Sequence, residues 1–199
     1  MCAISTPFAA SSAPACRRAA RRGFSLAEIL VIVGIMATVS ALVAPDILSS
    51  MNAYRLNAGL SELAGKLTEA KFKAQSQNND YEIVLDTIGN GYSLEYMTDA
   101  STRSFAVPAY ESEIMLPTNV SLGFGSLTTP AGDPGDQPSL AQSASICFNS
   151  QGMPVDNNGQ PTAANAFYLT SQGQYGAVTV SLAGRVQIWL WSGSQWNAE

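Results

Sequence analysis

The sequence predicts an α+β fold: a long N-terminal helix, membrane-spanning in its first half and amphipathic in its second, packed on a C-terminal antiparallel β-sheet domain. Three observations predict it. Ile29 to Pro45 carries no charged residue, as a bilayer-crossing helix requires. Leu56, Leu60, Leu63, Leu67, Ala70 and Ala74 follow at helical spacing, one apolar stripe on one face. The C-terminal stretch "YGAVTVSLAGRVQIWLW" alternates with the period of two that marks strands.

Residues 1–23 are rich in Ala, Ser and Arg and read as a targeting leader, outside the fold. Arg17, Arg18, Arg21 and Arg22 should hold this end in the cytoplasm, because cytoplasmic flanks collect positive charge. Cys2 and Cys16 fall in the leader, so its removal would leave Cys147 without an internal disulfide partner. Cys16 follows no apolar stretch, which argues against a lipidation site.

Residues 24–45 form the expected membrane half of the helix. As α-helix they span about 33 Å, against about 30 Å of hydrocarbon. Gly34, Ala37, Ser40, Ala41 and Ala44 would let helices approach closely. Pro45 lacks a backbone donor and is expected to kink the helix. The alternative is a secretory signal peptide cut after Ala41 or Ala44, although the apolar run is long for that. Glu28 stands just inside the block, where a carboxylate is costly and points to function.

Residues 46–80 make the amphipathic half. Glu62, Lys66, Glu69 and Lys73 lie off the stripe at spacings that allow ion pairs. The pattern ends at the polar run Gln75 to Asp80. Residues 81–199 read as β-rich. Strands are expected at Tyr81–Leu85 and Tyr92–Tyr96, turned by Gly89-Asn90-Gly91. Weaker ones are expected at Ile114–Leu116 and Val120–Leu122. Residues 123–143 are a Gly/Pro/Ser-rich loop. Ser145–Phe148 and Phe167–Thr170 follow. The last two strands should flank Ala183-Gly184, with Val178, Val180 and Leu182 on one face.

Charge narrows the function. Ten basic residues against fifteen acidic give −5, and beyond Gly23 the balance is −9. Such a body repels nucleic-acid phosphates unless a local patch overrides the field. There is no His, the commonest general base and metal ligand. Cys147 lies in the apolar run "SICF", as an inert buried thiol would. The loops "AGDPGDQ" and "PVDNNGQ" match no calcium-loop spacing, and their residues are ordinary turn formers. No catalytic residue, cofactor or metal is therefore expected.

Arg22-Gly23-Phe24-Ser25-Leu26-Ala27-Glu28-Ile29-Leu30 resembles the signal of type IV prepilins and type II secretion pseudopilins. The resemblance implies cleavage between Gly23 and Phe24 by a prepilin peptidase on the cytoplasmic side. It implies N-methylation of Phe24, an assembly role for Glu28 and a kink at Pro45. It also implies a single-pass inner-membrane protein with a periplasmic C-terminal domain, built into a hetero-oligomeric filament with other pseudopilins or pilins.

Three further matches resemble the GspH/FimT group of minor subunits: Ala70-Lys71-Phe72-Lys73-Ala74, Phe148 to Gly152, and Gly184-Arg185. The likeness is good over 22–85, moderate over 146–191 and slight over 97–145. Some members bind DNA through Gly-Arg-x-Arg, but here Gln187 replaces the second arginine. Arg185, Gln187, Trp189 and Trp191 would share a strand face, offering a stacking platform or covering the second face of the sheet; the latter is expected. The chain thus reads as a minor pseudopilin, or alternatively a minor pilin.

Overall fold

The computed structural model describes residues 24–132, 142–163 and 165–199, with only the backbone of 43–46. The chain divides into two compact units, Met1–Val43 and Ala44–Glu199. Helix α1 is Leu26–Gln77, close to the expected span. The expected kink at Pro45 falls on residues whose side chains lie outside the described set.

The helix ends where a left-handed residue closes it. Asn78 has φ 50°, and the Asn79 amide reaches back to the Ala74 carbonyl at 3.3 Å. That six-to-one bond satisfies a carbonyl the helix would leave bare. The Asn79 side chain then donates to Met97 O at 2.8 Å, tying the helix end to the strands.

Eleven strands follow among the described residues: β1 Tyr81–Asp86, β2 Gly91–Asp99, β3 Ser104–Ala106, β4 Ile114–Met115, β5 Ser121–Leu122, β6 Ser145–Phe148, β7 Pro154–Val155, β8 Asn165–Ser171, β9 Gln174–Val180, β10 Val186–Trp191 and β11 Trp196–Ala198. They make two sheets. The first has the order β3-β2-β1-β6-β7, with β4 also on β2; the second has β11-β10-β9-β8-β5. Among the described residues these ladders are antiparallel. The fold is α+β, as expected, but the one expected sheet is two.

The reason lies in the core. The helix stripe Leu56, Leu60, Leu63, Leu67, Ala70 and Ala74 is buried against Ile83, Leu94, Ile146 and Phe148 of the first sheet and Phe167, Leu169, Val178 and Val180 of the second. Leu60, Leu63 and Leu67 expose nothing, and each contributes about 2 kcal/mol by leaving water. Alternation along a strand says which residues face inward; it does not say which strands share a sheet. The stripe is covered by its own domain.

Two strand expectations need correction. Leu182 does not continue the face of Val178 and Val180: it sits in a turn closed by Gly184 N to Ser181 O at 2.7 Å and Ser181 N to Arg185 O at 3.0 Å. There it is 46% exposed. Leu116 and Val120 are buried beside their expected strands, which shorten to β4 and β5. Asn90 does take the left-handed turn conformation, with φ 57°. Its amide donates to Val120 O at 2.7 Å and its Oδ1 accepts from Leu122 N at 3.1 Å, anchoring that loop.

A second, smaller cluster covers the outer face of the second sheet. Ala131, Ala166, Tyr168, Ala177 and Trp189 are buried together, with Phe124 and Trp196 packed on them. Residues 123–132, expected as loop, supply the cover: Ala131 N donates to the Tyr168 hydroxyl, and Trp196 Nε1 donates to Thr129 O.

Candidate functional site

The described residues of the N-terminal unit present an apolar helical surface. Every residue from Phe24 to Leu42 is exposed, and α1 is long and apolar enough to cross a membrane. Ser25 begins the helix: its carbonyl accepts from the Glu28 and Ile29 amides at 3.0 and 3.2 Å. Glu28 occupies the first turn, where free amides and the helix dipole favour a carboxylate. Phe24 lies just outside the helix and is 71% exposed. Gly23 falls outside the described residues.

The polar side chains inside this segment are handled locally. Thr38 Oγ1 donates to Ile35 O at 2.8 Å, and Ser40 Oγ donates to Met36 O at 2.7 Å. Each hydroxyl proton is therefore satisfied within the helix, which lets the segment sit in hydrocarbon without an orphaned donor. Glu28 is the exception, an acidic group on an apolar, exposed helix.

In the second unit, the three scattered minor-subunit motifs meet at one place. Lys71 Nζ donates to Gly184 O at 2.8 Å, and Gln75 Nε2 donates to Gln151 O at 3.1 Å. Gly152 and Gly184 have φ 78° and 73°. A Cβ on Gly184 would run into the Gly152 carbonyl, and one on Gly152 would meet the Gln75 side chain. The end of α1 thus holds one turn from each sheet. The motifs are a packing junction, in which Lys71 acts as a positioning group.

A second cluster involves a residue that the sequence did not single out. Glu69 pairs with Lys66 at 2.9 Å and Lys73 at 2.8 Å, as helical spacing predicted. Glu111, from the loop between β3 and β4, reaches Lys73 at 2.8 Å and Lys66 at 3.4 Å. Lys73 also lies 5.2 Å above the Tyr110 ring. Burial pulls the Lys73 ammonium down, but the hydrogen bonds it donates to Glu111 and Glu69 outweigh it and the net shift is upward. The Lys73 hydrogen bond holds the Glu69 and Glu111 carboxyls below their usual range. Glu62 joins no ion pair among the described residues.

The aromatic platform is not presented. Trp189 is 7% exposed and donates Nε1 to Thr179 Oγ1 at 2.9 Å. Trp191 packs edge-on against Trp196 at 5.3 Å. Arg185 stands before β10, at the end of the 181–184 turn. The tryptophans cover the second face of the sheet.

Cys147 is buried, and burial pushes its thiol up to about 12. Asp156, in "PVDNNGQ", spends Oδ1 on the amides of Asn158 and Gln160 at 2.9 and 2.8 Å, an ordinary turn. In "AGDPGDQ", Asp133 and Asp136 lie outside the described residues. Among the described residues no group of three or more Cys, Asp or Glu is arranged to hold a metal.

No family model and no curated protein sequence matches the chain. Among solved structures, it is similar to the type IV minor pilin FimU of Pseudomonas aeruginosa. That match has 18% identity and TM-score 0.47, covering 73% of this chain and 94% of that one. It is also similar to the minor pseudopilin EpsH from the type 2 secretion system of Vibrio cholerae. There the identity is 13% and the TM-score 0.46, covering 71% of this chain and 99% of that one.

Proposed function

We propose that the chain is a minor pseudopilin, a non-catalytic structural subunit of a type II secretion pseudopilus that serves protein export. One observation carries the reading. Arg22-Gly23-Phe24-Ser25-Leu26-Ala27-Glu28 leads directly into an apolar helix whose residues to Leu42 are all exposed. An ordinary exported domain has no need of an acid at that position. A filament subunit does.

In this reading a prepilin peptidase cuts between Gly23 and Phe24, and Phe24 becomes the N-methylated terminus. The cut creates an ammonium group at membrane depth. Glu28 of one subunit then meets the Phe24 ammonium of a neighbour, and each charge gains a partner it lacks in the isolated subunit. The apolar helix anchors the chain in the inner membrane with the leader cytoplasmic. Residues 81–199 face the periplasm and contact other pseudopilins or pilins.

The second reading is a minor pilin of the FimT type in a type IV pilus, with a DNA-uptake role. Gly184-Arg185 favours it. The missing second arginine, the buried Trp189 and the −9 balance beyond Gly23 oppose it. Deleting the gene separates the two: loss of exported enzymes supports secretion, and loss of twitching or transformation supports the pilus.

The decisive experiment is the intact mass of the membrane-extracted protein, made with and without a prepilin peptidase. A product beginning at N-methyl-Phe24 is expected only with the enzyme, and Gly23→Ala should keep the leader attached. A product beginning near Leu42 or Pro45 would mean signal-peptide cleavage and would sink both readings.

A further inference from the structure

The two sheets differ in how their outer faces are treated. The second is covered by residues 123–132 and the tryptophan cluster. Over its central strands the first is covered at Cys147, where Arg103 Nη2 donates to Sγ at 3.5 Å, and leaves Glu82 and Glu95 partly exposed. The ladder registers place Glu95, Glu82 and Cys147 in one row across β2, β1 and β6, and Ser93, Val84 and Ser145 in the next. The alternate residues Tyr81, Ile83, Leu94, Ile146 and Phe148 face the core, so these two rows face out. Two depressions of about 350 and 340 Å³ lie on them and share Val84. Phe105 and Arg103 wall the first, Val107 and Glu113 the second.

The charge on this face is one-sided. Glu82 and Glu95 stand directly opposite each other, an arrangement that repels when both are ionised. Asp86 and Glu113 line the adjoining depression. The one basic side chain lining either depression is Arg103, and its guanidinium pairs with Asp80 at 3.2 Å and donates to Cys147 Sγ at 3.5 Å. Among the described residues, no basic group lies within salt-bridge reach of Glu82 or Glu95. The lysines of α1 sit on the helix, committed to Glu69, Glu111 and the Gly184 carbonyl. Burial first, and Glu95 opposite to a lesser degree, hold the Glu82 carboxyl above its usual range against the opposing pull of a Ser145 hydrogen bond and the Arg103 charge.

We infer that this trough is a docking site for an extended, cationic segment of a partner protein, whose lysine or arginine side chains enter beside Glu82 and Glu95. Extended chain is the shape that fits. Alternate side chains of a strand-like segment are about 7 Å apart on one face, which lets one cation enter each depression while the backbone between them crosses Val84 and the intervening side chain points away. The apolar walls, Phe105 and Val107, suit the methylene stem that a lysine or arginine lays down before its charge. The inference is independent of which filament, if any, the chain enters.

The test uses the full chain in non-ionic detergent and a fluorescein-labelled peptide of alternating lysine and valine. Saturable binding is expected, with affinity falling about tenfold in Glu82→Gln/Glu95→Gln, as the loss of two partly buried charge contacts implies. The charge-matched control Glu62→Gln/Glu199→Gln, on exposed acids elsewhere, should bind as the wild type does. Equal weakening in both variants would mean general attraction to an acidic protein and would overturn the inference; so would no binding by the wild type. A carbodiimide cross-link on the wild type needs no variant. Peptide lysine should be joined to Glu82 or Glu95, and joints scattered over Glu62, Glu69 and Glu199 would refute the site.

Discussion

At Gly184 the backbone takes φ 73°, and the space a Cβ would need is held by the Gly152 carbonyl and Lys71 Nζ. Both penalties apply to Gly184→Ala: the left-handed conformation costs an L-residue about 1 kcal/mol or more, and the clash forces two turns apart. We expect a loss of about 2 kcal/mol or more, seen as a fall of several degrees in thermal midpoint. An unchanged midpoint would mean the junction is loose. Glu28 is a different kind of residue: it is exposed in the first helical turn, and its side chain joins no ion pair or hydrogen bond among the described residues. Glu28→Ala should leave thermal stability and leader cleavage intact while filament assembly fails. A normal filament from that variant would discredit the charge-pairing account. Both positions were legible as motif residues, but only the coordinates separate them. One glycine is held by neighbours more than thirty residues away; the other residue waits for a neighbour.

The helix and the strap that crosses it set the next scale. Glu69, with helical partners at three and four residues, was readable from spacing. Glu111 was not, because nothing local ties an acid in a short loop to lysines 38 and 45 residues earlier. Its carboxyl is held low by the Lys73 hydrogen bond first, and the sign of the pH effect follows. An acid with a depressed folded pKa stabilises the protein above its unfolded value, about 4.3, and loses that contribution as pH falls through the folded value. Glu82, held high by burial, works the other way: its ionisation is the less favourable state in the fold. We therefore expect Glu111→Gln to cost about 1 kcal/mol near neutrality, and to flatten the acid side of the stability curve below about pH 4.3. Urea midpoints across pH would show it. A parallel shift at all pH values would mean that what Glu111 contributes does not depend on its charge.

At the scale of the whole molecule, the two units make opposite demands on solvent. The described residues of the first show only exposed apolar helix from Phe24 to Leu42. The second buries its own stripe on both sheets. A chain beginning at residue 46 should therefore fold in plain buffer, with cooperative thermal unfolding, while the full chain needs detergent or bilayer to stay dispersed. Aggregation of the shortened chain would show that the β-rich domain depends on the apolar segment for more than anchorage. Filament membership belongs at this scale too, since it concerns what covers the exposed helix rather than any internal contact.

By itself the sequence determined the features that depend on local order. These are the helix ends, the buried stripe, the strands β1, β2, β6 and β10, the burial of Cys147 and the Asn90 turn. Each follows from period, propensity or the conformational limits of one residue, which neighbours in the chain already express. Tertiary structure alone decided that the strands form two sheets and that the tryptophans lie beneath 123–132. It also decided that Lys71 meets Gly184, and that the first sheet keeps a partly exposed acidic face. Those pairings join residues far apart in the chain, and a strand's pattern states which side is apolar without saying what will come to cover it.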